Sequence, residues 1–476
     1  MPINNFLLPG AKVTTVYDVA NSCRFDDGSS AYMHKTPGSS GNQRKFTFST
    51  WFKLGNSTEW LTLFATGADA SNRFVILRHN ESSNNSQIKI DAKTSDSQTI
   101  ELRTNASFRD PAAWMHLVVA VDTEQSTSTD RVKVYINGTQ ITSFNQTTYP
   151  AEDHDTEVNK AAEHRVGRYN AGDNYFDGYL AETVFIDGTQ YAASDFGEFD
   201  EDSPTIWKPK DVSGLTFGTN GFYLDFEDSA NLGNDANGGT DLTEVNLAAT
   251  DQMTDTPTLN YAVMNPLDNY YAGSTFSEGN LKIVTVASGS AYMVGTIGVS
   301  SGKWYWEVKA VSFTTGADYC AIGVSSTQIT GTSQLGANSN DYGFGNTGTQ
   351  NSGGSSSSYG SSYANNDIIG VYLDLDNNKL YFSINGTLQN SGTGISITAA
   401  ASTSLGAYFP AISDWSSSGS NLVTAEFNFG GGCPFSISSG NTDGEYGNFE
   451  YSTTITGDGS SKTFKALNSA NLAEYG

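Results

Sequence analysis

Short runs in which apolar and polar residues alternate recur along the chain and predict β-strands. Residues 46–52 alternate phenylalanine with threonine and serine, and leucine, valine or isoleucine occupies every second position of 117–121 and 132–136. A period of two places one side of a strand against a core, and no stretch of helical length keeps a period of 3.6. The pattern therefore predicts half-buried strands of an antiparallel sandwich.

The second half of the chain repeats the pattern at 304–308 and 371–384. One strand in each half runs into an Asn-Gly pair, at 137–138 and 385–386. This dipeptide tolerates positive φ and closes two-residue hairpins. The expected fold class is all-β, with two tandem antiparallel β-sandwich domains of the jelly-roll type.

The turn within 371–384 contains Asp374, Asp376 and Asn378, a spacing also found in calcium loops. The glycine and the distal glutamate of an EF-hand loop are absent here, whereas asparagine and aspartate favour turns. A hairpin turn is therefore the favoured interpretation of this segment.

Chain length and composition indicate two folded domains. The 476 residues exceed one compact core, and a hydrophobic share of 37% is ample for two. The segment 229–260 is rich in Asn, Asp, Gly and Thr and is the predicted linker. It separates a first domain at 23–228 from a second at 261–440, with an N-terminal segment at 1–22 and a C-terminal tail at 441–476.

With a net charge of −26, the chain lacks the excess of cationic residues that nucleic acid binding requires, so no nucleic acid partner is expected. No apolar run is long enough to cross a bilayer, so no membrane insertion is expected. The N-terminus has no signal-peptide pattern, which predicts synthesis in a cytoplasm. The three cysteines, Cys23, Cys320 and Cys433, are odd in number and widely spaced, so no disulfide framework is implied.

The first domain contains, in this order, the segments RFDDGSSAYM, FTFSTWFKL, AAWMHLVVAVD, VKVYINGTQI and HRVGRYNAGDNYFDGYLAETVFIDG. Their order resembles that of the LamG-like, concanavalin A-type jelly roll. These motifs are structural, and they cover nearly all of 23–228. The resemblance implies a domain that binds carbohydrate or protein, often with Ca²⁺ at one rim.

In the second domain, GKWYWEV is followed by AIGV, DIIGVYLDLDNNKLYFSING, YFPAIS and AEFNFG, and these segments span most of 272–436. Together they resemble a SPRY domain. The resemblance implies a module that binds protein segments through variable loops and carries no catalysis.

Residues 257–268 and the ending SKTFKALNSANLAEYG resemble segments of virion proteins of marine tailed bacteriophages, of the tail fibre, spike or decoration kind. This likeness implies a place on the virion surface, on tail or capsid, after assembly in the host cytoplasm. The implied partners are host cell-surface polysaccharide and other virion proteins. Analogy with viral fibres implies a homo-oligomer, taken as a trimer. Residues 1–22 are either a virion attachment or the first strand of the jelly roll.

A calcium site is expected where hard oxygen ligands cluster before a strand, at Asn170, Asp173, Asn174 and Asp177. The segment 151–165 also holds histidines and carboxylates, but lysine and arginine lie among them, so a polar surface loop is favoured there.

A ligand-binding surface is expected in the loop 331–366, where a Gly/Ser run carries Tyr342, Tyr359 and Tyr363. Tyrosine combines contact area with a hydrogen-bonding group, which suits adaptable recognition. The alternative interpretation is a flexible spacer with tyrosines placed by chance.

No catalytic motif is present, and the chain is expected not to be an enzyme. Glycosidases need two flanking carboxylates, and Glu198-Phe-Asp200-Glu-Asp202 departs from their Glu-x-Asp-x-Glu pattern at its last position. Three functions stay open: a receptor-binding protein that recognises host glycans, a capsid or tail decoration protein that makes protein contacts, and a polysaccharide depolymerase. The first is the favoured hypothesis.

Overall fold

The computed structural model of the chain describes residues 17–55, 60–80, 86–172, 174–270, 273–285, 289–313, 318–328, 334–416, 422–457 and 459–476. These residues form two compact units that divide between Thr258 and Leu259. We call them the N-terminal and the C-terminal domain.

The N-terminal domain is built from strands. They are β1 Ser22–Phe25, β2 Tyr32–Lys35, β3 Lys45–Leu54, β4 Leu61–Gly67, β5 Arg73–His79, β6 Gln87–Thr94, β7 Ser97–Thr104, β8 Met115–Asp122, β9 Val132–Ile136, β10 Thr139–Ile141, β11 Phe144–Thr148, β12 His164–Val166, β13 Gly178–Asp187, β14 Gly197–Phe199, β15 Trp207–Pro209, β16 Phe222–Leu224, β17 Thr243–Val245 and β18 Gln252–Met253. Two eight-stranded sheets have the orders β10-β9-β8-β3-β13-β1-β18, with β16 beside β13, and β11-β7-β6-β5-β4-β12-β2-β17.

The two sheets face each other across an aromatic core. Phe48 of β3 stacks on Phe64 of β4 with ring centroids 4.8 Å apart, and Phe46 meets Phe74 edge-on at 5.3 Å. The sequence predicted β3 as half-buried, but β3 is buried on both sides. Its second face is covered because the chain after β13 folds back over the sheet and buries a smaller apolar cluster there.

The predicted linker at 229–260 needs correction, because most of it belongs to the N-terminal domain. Strand β17 extends one sheet beside β2, and β18 extends the other beside β1. The buried carboxylate of Asp255 accepts hydrogen bonds from Lys53 Nζ at 2.7 Å and Trp114 Nε1 at 2.9 Å. The polar composition of 229–260 does not reveal these contacts, because asparagine and aspartate are as common in tight turns as in linkers.

The C-terminal domain is also built from strands. They are β19 Met264–Tyr270, β20 Thr275–Ser277, β21 Lys282–Val284, β22 Gly289–Gly295, β23 Lys303–Ser312, β24 Asp318–Ser325, β25 Asp341–Gly345, β26 Thr349–Ser352, β27 Ser355–Ser358, β28 Ile368–Asp374, β29 Lys379–Ile384, β30 Thr387–Leu388, β31 Ile395–Ser396, β32 Phe409–Ser416, β33 Thr424–Asn428, β34 Thr454–Gly457, β35 Ser460–Thr463 and β36 Lys465–Ala466, followed by the helix α1 Ser469–Tyr475. A seven-stranded sheet has the order β19-β22-β32-β24-β25-β26-β27, and a nine-stranded sheet has β20-β21-β33-β23-β28-β29-β30 with β31 and β36 attached.

Both predicted Asn-Gly hairpins are confirmed. Asn137 and Gly138 have φ of 45° and 75° between the paired strands β9 and β10, and the pair at 385–386 has φ of 46° and 76° between β29 and β30. The turn after Asp374 is likewise a hairpin, because Asp374 pairs directly with Lys379.

The segment predicted as a C-terminal tail, 441–476, is an integral part of its domain. Strand β36 pairs in parallel with β23, and Phe449 and Phe464 are buried against the tyrosines of the nine-stranded sheet. At the other end of the chain, residues 1–16 lie outside the described residues and β1 begins at Ser22.

The described fold is all-β with antiparallel sandwiches, as the alternation predicted. All three cysteines are buried. Within the described ranges, no helix has both the length and the apolar character needed to span a bilayer.

Candidate functional site

A cleft of about 510 Å³ opens in the C-terminal domain beside the β26–β27 hairpin. We call it the hairpin cleft. One wall is the hairpin itself, and the other is the chain from Asn390 to Ser396. All of the described lining residues are uncharged, and all but Gly394 and Ile395 are polar or aromatic: Tyr342, Gln350, Asn351, Ser352, Ser355, Ser357, Tyr359, Asn390, Gly394, Ile395 and Ser396.

The hairpin carries polar side chains on the face that continues the core side of its sheet. Gln350 pairs with Phe344, a fully buried core residue, so both side chains lie on the same face. Gln350 also pairs with Ser357, and Ser352 pairs with Ser355. A sandwich normally fills this face with apolar residues, so four polar residues in line form a wall that is open to a polar ligand.

The two tyrosines of the cleft are held rigidly by hydrogen bonds. The Tyr342 hydroxyl accepts from Thr398 N at 2.9 Å, and the Tyr359 hydroxyl donates to Thr393 O at 3.2 Å. Each ring is 5% exposed. They therefore form a fixed base for the cleft and lack the freedom of loop side chains.

The third predicted tyrosine, Tyr363, lies in the core. Its hydroxyl donates to Cys320 O at 2.8 Å, and its ring meets Phe313 edge-on. The predicted loop at 331–366 contains three paired strands, β25, β26 and β27, joined by turns, while 331–333 lie outside the described residues. Paired glycines, Gly353 and Gly354 with φ of 58° and 72°, turn the chain between β26 and β27.

In the N-terminal domain, three carboxylates meet at one place. Ligand atoms of Asp26, Asp27 and Asp177 all lie within 4.8 Å of one another, and no other group of three acidic, histidine or cysteine residues does so within the described ranges. Asp177 belongs to the predicted calcium set. Asp26 and Asp27 were missed because they lie about 150 residues away in sequence, beside β1.

The other predicted calcium ligands have separate positions. Asn170 donates from its side chain to Asp69 O at 2.9 Å, and Asn174 accepts at its backbone oxygen from Tyr169 N at 3.3 Å. Asp173 lies outside the described residues.

The acidic segments that the sequence singled out are neutralised locally. Lys208 of β15 lies 3.6 Å from Glu198 and 3.4 Å from Asp200 across the small β14–β15 hairpin. Arg44 bridges Asp153 and Asp155, at 3.0 Å and 2.7 Å. These contacts account for the carboxylates as surface ion pairs.

The strand histidine His116 is a buried structural group. Its ring stacks on Trp51 with centroids 4.7 Å apart, and its nitrogens contact Ser49 Oγ at 2.8 Å and Trp207 Nε1 at 2.9 Å. Burial lowers the His116 pKa to about 3, so the ring is neutral at physiological pH.

Two family models match the chain. Residues 27–193 match the concanavalin A-like lectin/glucanases superfamily, of the laminin G type. Residues 303–430 match the SPRY domain. The two domain resemblances drawn from the sequence are therefore confirmed.

Two curated relatives match part of this chain, in its SPRY region. The chain is 33% identical to the ATP-dependent RNA helicase DDX1 of Xenopus laevis over 131 residues, which are 27% of this chain and 16% of the helicase. It is 30% identical to the probable ATP-dependent RNA helicase ddx1 of Dictyostelium discoideum over 135 residues, 28% of this chain and 15% of the helicase. The chain thus spans about a sixth of the length of these relatives.

Solved structures similar to this chain include the SPRY domain of human HERC1, with 16% identity, TM-score 0.28, and coverage of 34% of this chain and 96% of that one. Stonustoxin follows with 20% identity, TM-score 0.26, and coverage of 35% and 27%. Domain 4 of the Geobacillus stearothermophilus arabinanase AbnA has 23% identity, TM-score 0.24, and coverage of 32% and 64%. These likenesses carry no argument about function.

Proposed function

Because the chain joins a concanavalin A-like lectin domain to a SPRY domain, we propose that it is a non-enzymatic protein that binds host cell-surface glycans. In this proposal it is a receptor-binding protein of the tail fibre or spike type on the surface of a tailed bacteriophage. The virion assignment rests on the sequence likeness of residues 257–268 and of the chain ending to phage proteins.

The observation that carries the glycan proposal is the polar wall of the hairpin cleft. Serine hydroxyls and the Gln350 amide both donate and accept hydrogen bonds, which matches the hydroxyl groups of a sugar. Ser355 and Ser357 are exposed, while Gln350 and Ser352 are half-buried, so donors and acceptors extend from the rim inwards. Apolar ring edges of Tyr342 and Tyr359 supply contact area at the base.

The same lining favours neutral sugars over acidic ones. None of the described residues that line the hairpin cleft is a lysine, an arginine or a histidine. A carboxylated or sulfated glycan would therefore lose hydration without gaining an ion pair. Such a glycan would also meet a strongly acidic protein.

The three neighbouring carboxylates of the N-terminal domain support the proposal that part of this binding requires Ca²⁺. Calcium prefers several oxygen ligands, and Asp26, Asp27 and Asp177 offer carboxylates close together, with Asp177 fully buried. These residues fit such an ion, which would neutralise their mutual repulsion and order the rim between β1 and β13.

The test is binding of the purified full chain to an array of defined neutral and acidic oligosaccharides. We expect Ser357→Trp to lower neutral-glycan affinity at least tenfold, because the indole would fill the cleft. Gln350→Ala should lower it about fivefold through loss of one polar contact.

The matched control is Ser356→Trp, one residue away on the same strand. Ser356 is exposed on the face opposite Ser357 and does not itself line the cleft, so its replacement should leave glycan affinity unchanged. Equal effects of both variants, or no glycan binding by the folded chain, would favour the decoration-protein alternative. Release of reducing sugar from a bound polysaccharide would instead favour the depolymerase alternative.

Removing divalent cations with EDTA and restoring CaCl₂ tests the metal separately. Thermal stability of the N-terminal domain should rise on calcium addition, and Asp177→Asn should abolish that rise. An Asp177→Asn variant that keeps the full calcium response would exclude this group of carboxylates as the site.

A further inference from the structure

A second cleft, of about 400 Å³, lies in the C-terminal domain where β22 and β24 end and β32 begins. We call it the Phe409 cleft. It is lined by Asn265, Asp268, Val294, Gly295, Thr296, Ser325, Thr327, Gln328, Leu405 and Phe409, so it shares no residue with the hairpin cleft.

One wall of the Phe409 cleft is apolar and stays accessible. Val294 and Phe409 belong to an apolar cluster on the sheet, and Leu405 is 46% exposed at the rim. Leu267, next to the lining residue Asp268, is 53% exposed. Large apolar side chains exposed together beside a concave surface are typical of a site that contacts a partner.

The base of the Phe409 cleft is held by a hydrogen-bonded network. Ser325 Oγ donates to the buried Asp341 carboxylate at 2.9 Å and accepts from Thr327 N at 3.2 Å. Thr296 is fastened to Val263, whose backbone N donates to Thr296 Oγ1 at 3.1 Å. A fixed base of this kind presents a preformed site, which lowers the entropy lost on binding.

The charge of the cleft is negative and uncompensated. Among the described residues of the lining, Asp268 alone is charged, and it is exposed. Over the described residues, no lysine or arginine forms an ion pair with it, because the lysines of this domain have other partners. Lys282 meets Glu426, Lys303 meets Asp374 and Asp376, Lys309 lies over Phe435, Lys379 meets Ser396, Lys462 meets Asp374, and Lys465 meets Glu445.

We propose that the Phe409 cleft is a docking site for a basic side chain, lysine or arginine, on a segment of a partner protein. The aliphatic stem of such a side chain packs on Phe409 and Leu405 while its cation meets the Asp268 carboxylate. Long cationic side chains bury their stems on apolar surface in this way and keep the charged end on an acidic group. This proposal is independent of glycan binding and adds a protein partner to it.

The test uses three labelled pentapeptides against the full chain, followed by fluorescence polarisation. The first peptide is Gly-Leu-Lys-Leu-Gly. In the second peptide norleucine replaces the central lysine, and in the third glutamate replaces it. We expect the lysine peptide to bind at least tenfold more tightly than the norleucine peptide. The advantage should shrink when NaCl rises from about 50 mM to about 500 mM, because salt screens an exposed ion pair.

Two variants locate the binding. Asp268→Asn should abolish the preference for lysine over norleucine, and Leu405→Ser should weaken both peptides about fivefold. The controls are Glu474→Gln, an exposed carboxylate elsewhere in the domain, and Leu422→Ser, which is 40% exposed outside the cleft. Both controls should bind the peptides as the unaltered chain does.

The proposal is overturned if no peptide binds the folded chain, if norleucine binds as tightly as lysine, or if Asp268→Asn keeps the preference. Ser357→Trp separates this site from the hairpin cleft, because it should lower glycan affinity at least tenfold and leave peptide affinity unchanged. Loss of peptide binding in Ser357→Trp would also overturn the proposal, since the two clefts would then not act independently.

Discussion

In each domain, a buried glutamate binds a segment near one end of the described domain to a sheet. The two carboxylates differ in the number and kind of their hydrogen-bond donors. In the C-terminal domain, Glu307 of β23 accepts four hydrogen bonds. The donors are Tyr305 Oη at 2.9 Å, Asn428 Nδ2 at 3.1 Å, Glu450 N at 3.0 Å and Tyr451 N at 2.8 Å. Two of these donors are backbone groups of the C-terminal segment, so the carboxylate binds that segment to the sheet.

In the N-terminal domain, Glu182 is held by two tyrosine hydroxyls. Tyr17 donates at 2.8 Å and Tyr223 at 2.8–2.9 Å, and Tyr17 lies at the beginning of the described chain. Glu182 occupies a β-bulge with φ of 48°, a strained backbone for glutamate.

The two glutamates differ in how many donors oppose the effect of burial on the carboxyl pKa. Burial raises the pKa of both groups, and hydrogen bonds to the charged form oppose it. With two hydroxyl donors, and with Asp225 and Glu227 raising it further, the Glu182 pKa reaches about 7. Glu182 therefore titrates near neutral pH, whereas Glu307 holds the C-terminal segment on its sheet through Glu450 N and Tyr451 N.

The largest expected effect is that of Glu307→Ala. Two buried and two half-buried donors would lose their acceptor at once, which costs about 4 kcal/mol in the free energy of unfolding. Hydrogen exchange followed by mass spectrometry should show faster exchange in β36 and in residues 441–453 first. The matched variant Glu182→Ala should leave exchange in the C-terminal domain unchanged; faster exchange there would contradict the assignment of each glutamate to its own domain.

Local patterns predicted the strands and the hairpins because their information lies within a few residues. The alternation at 46–52 and the Asn-Gly pairs specify period and turn without reference to the rest of the chain. The Gly/Ser-rich neighbourhood of Tyr342, Tyr359 and Tyr363 does not separate the two tyrosines that line the cleft from the one in the core, and their role in ligand binding stays a prediction.

Contacts over long sequence separation could not be predicted in this way. Glu307 and Tyr451 are 144 residues apart, and Asp255 meets Lys53 across 202 residues. A polar segment that supplies backbone donors to a buried carboxylate has the composition of a linker or a tail. For this reason the sequence predicts a linker at 229–260 and a tail at 441–476. For the same reason it does not group Asp26 and Asp27 with Asp177.

The second prediction concerns pH. The Glu182 pKa is raised in the folded state above the ordinary 4.5, so the folded state holds the proton more tightly than the unfolded state. Its stabilising contribution is complete below pH about 4.5 and is lost as pH rises through about 7, by about 3 kcal/mol at pH 8. Glu182→Gln should remove this component.

The measurement is urea denaturation at pH 5 and pH 8, with hydrogen exchange in β3 and β13 to report on the N-terminal domain alone. The unaltered chain should lose more stability between the two pH values than Glu182→Gln does. Equal losses would mean that Glu182 does not titrate in this range, and that two hydroxyl donors suffice to keep it charged.

The smallest expected effect sharpens the comparison at a single hydroxyl. Tyr17→Phe keeps the ring packed beside Val19 and Trp51 but removes one donor to Glu182. Because the lost bond favours the charged carboxylate, the Glu182 pKa should rise further and stability should fall by about 1 kcal/mol at pH 8 and by less at pH 5. Tyr149→Phe, a half-buried hydroxyl elsewhere in the domain, should lack this pH dependence. An equal loss at both pH values in Tyr17→Phe would show that its hydroxyl contributes the same stability whether Glu182 is charged or neutral, and that donor number does not set the charge.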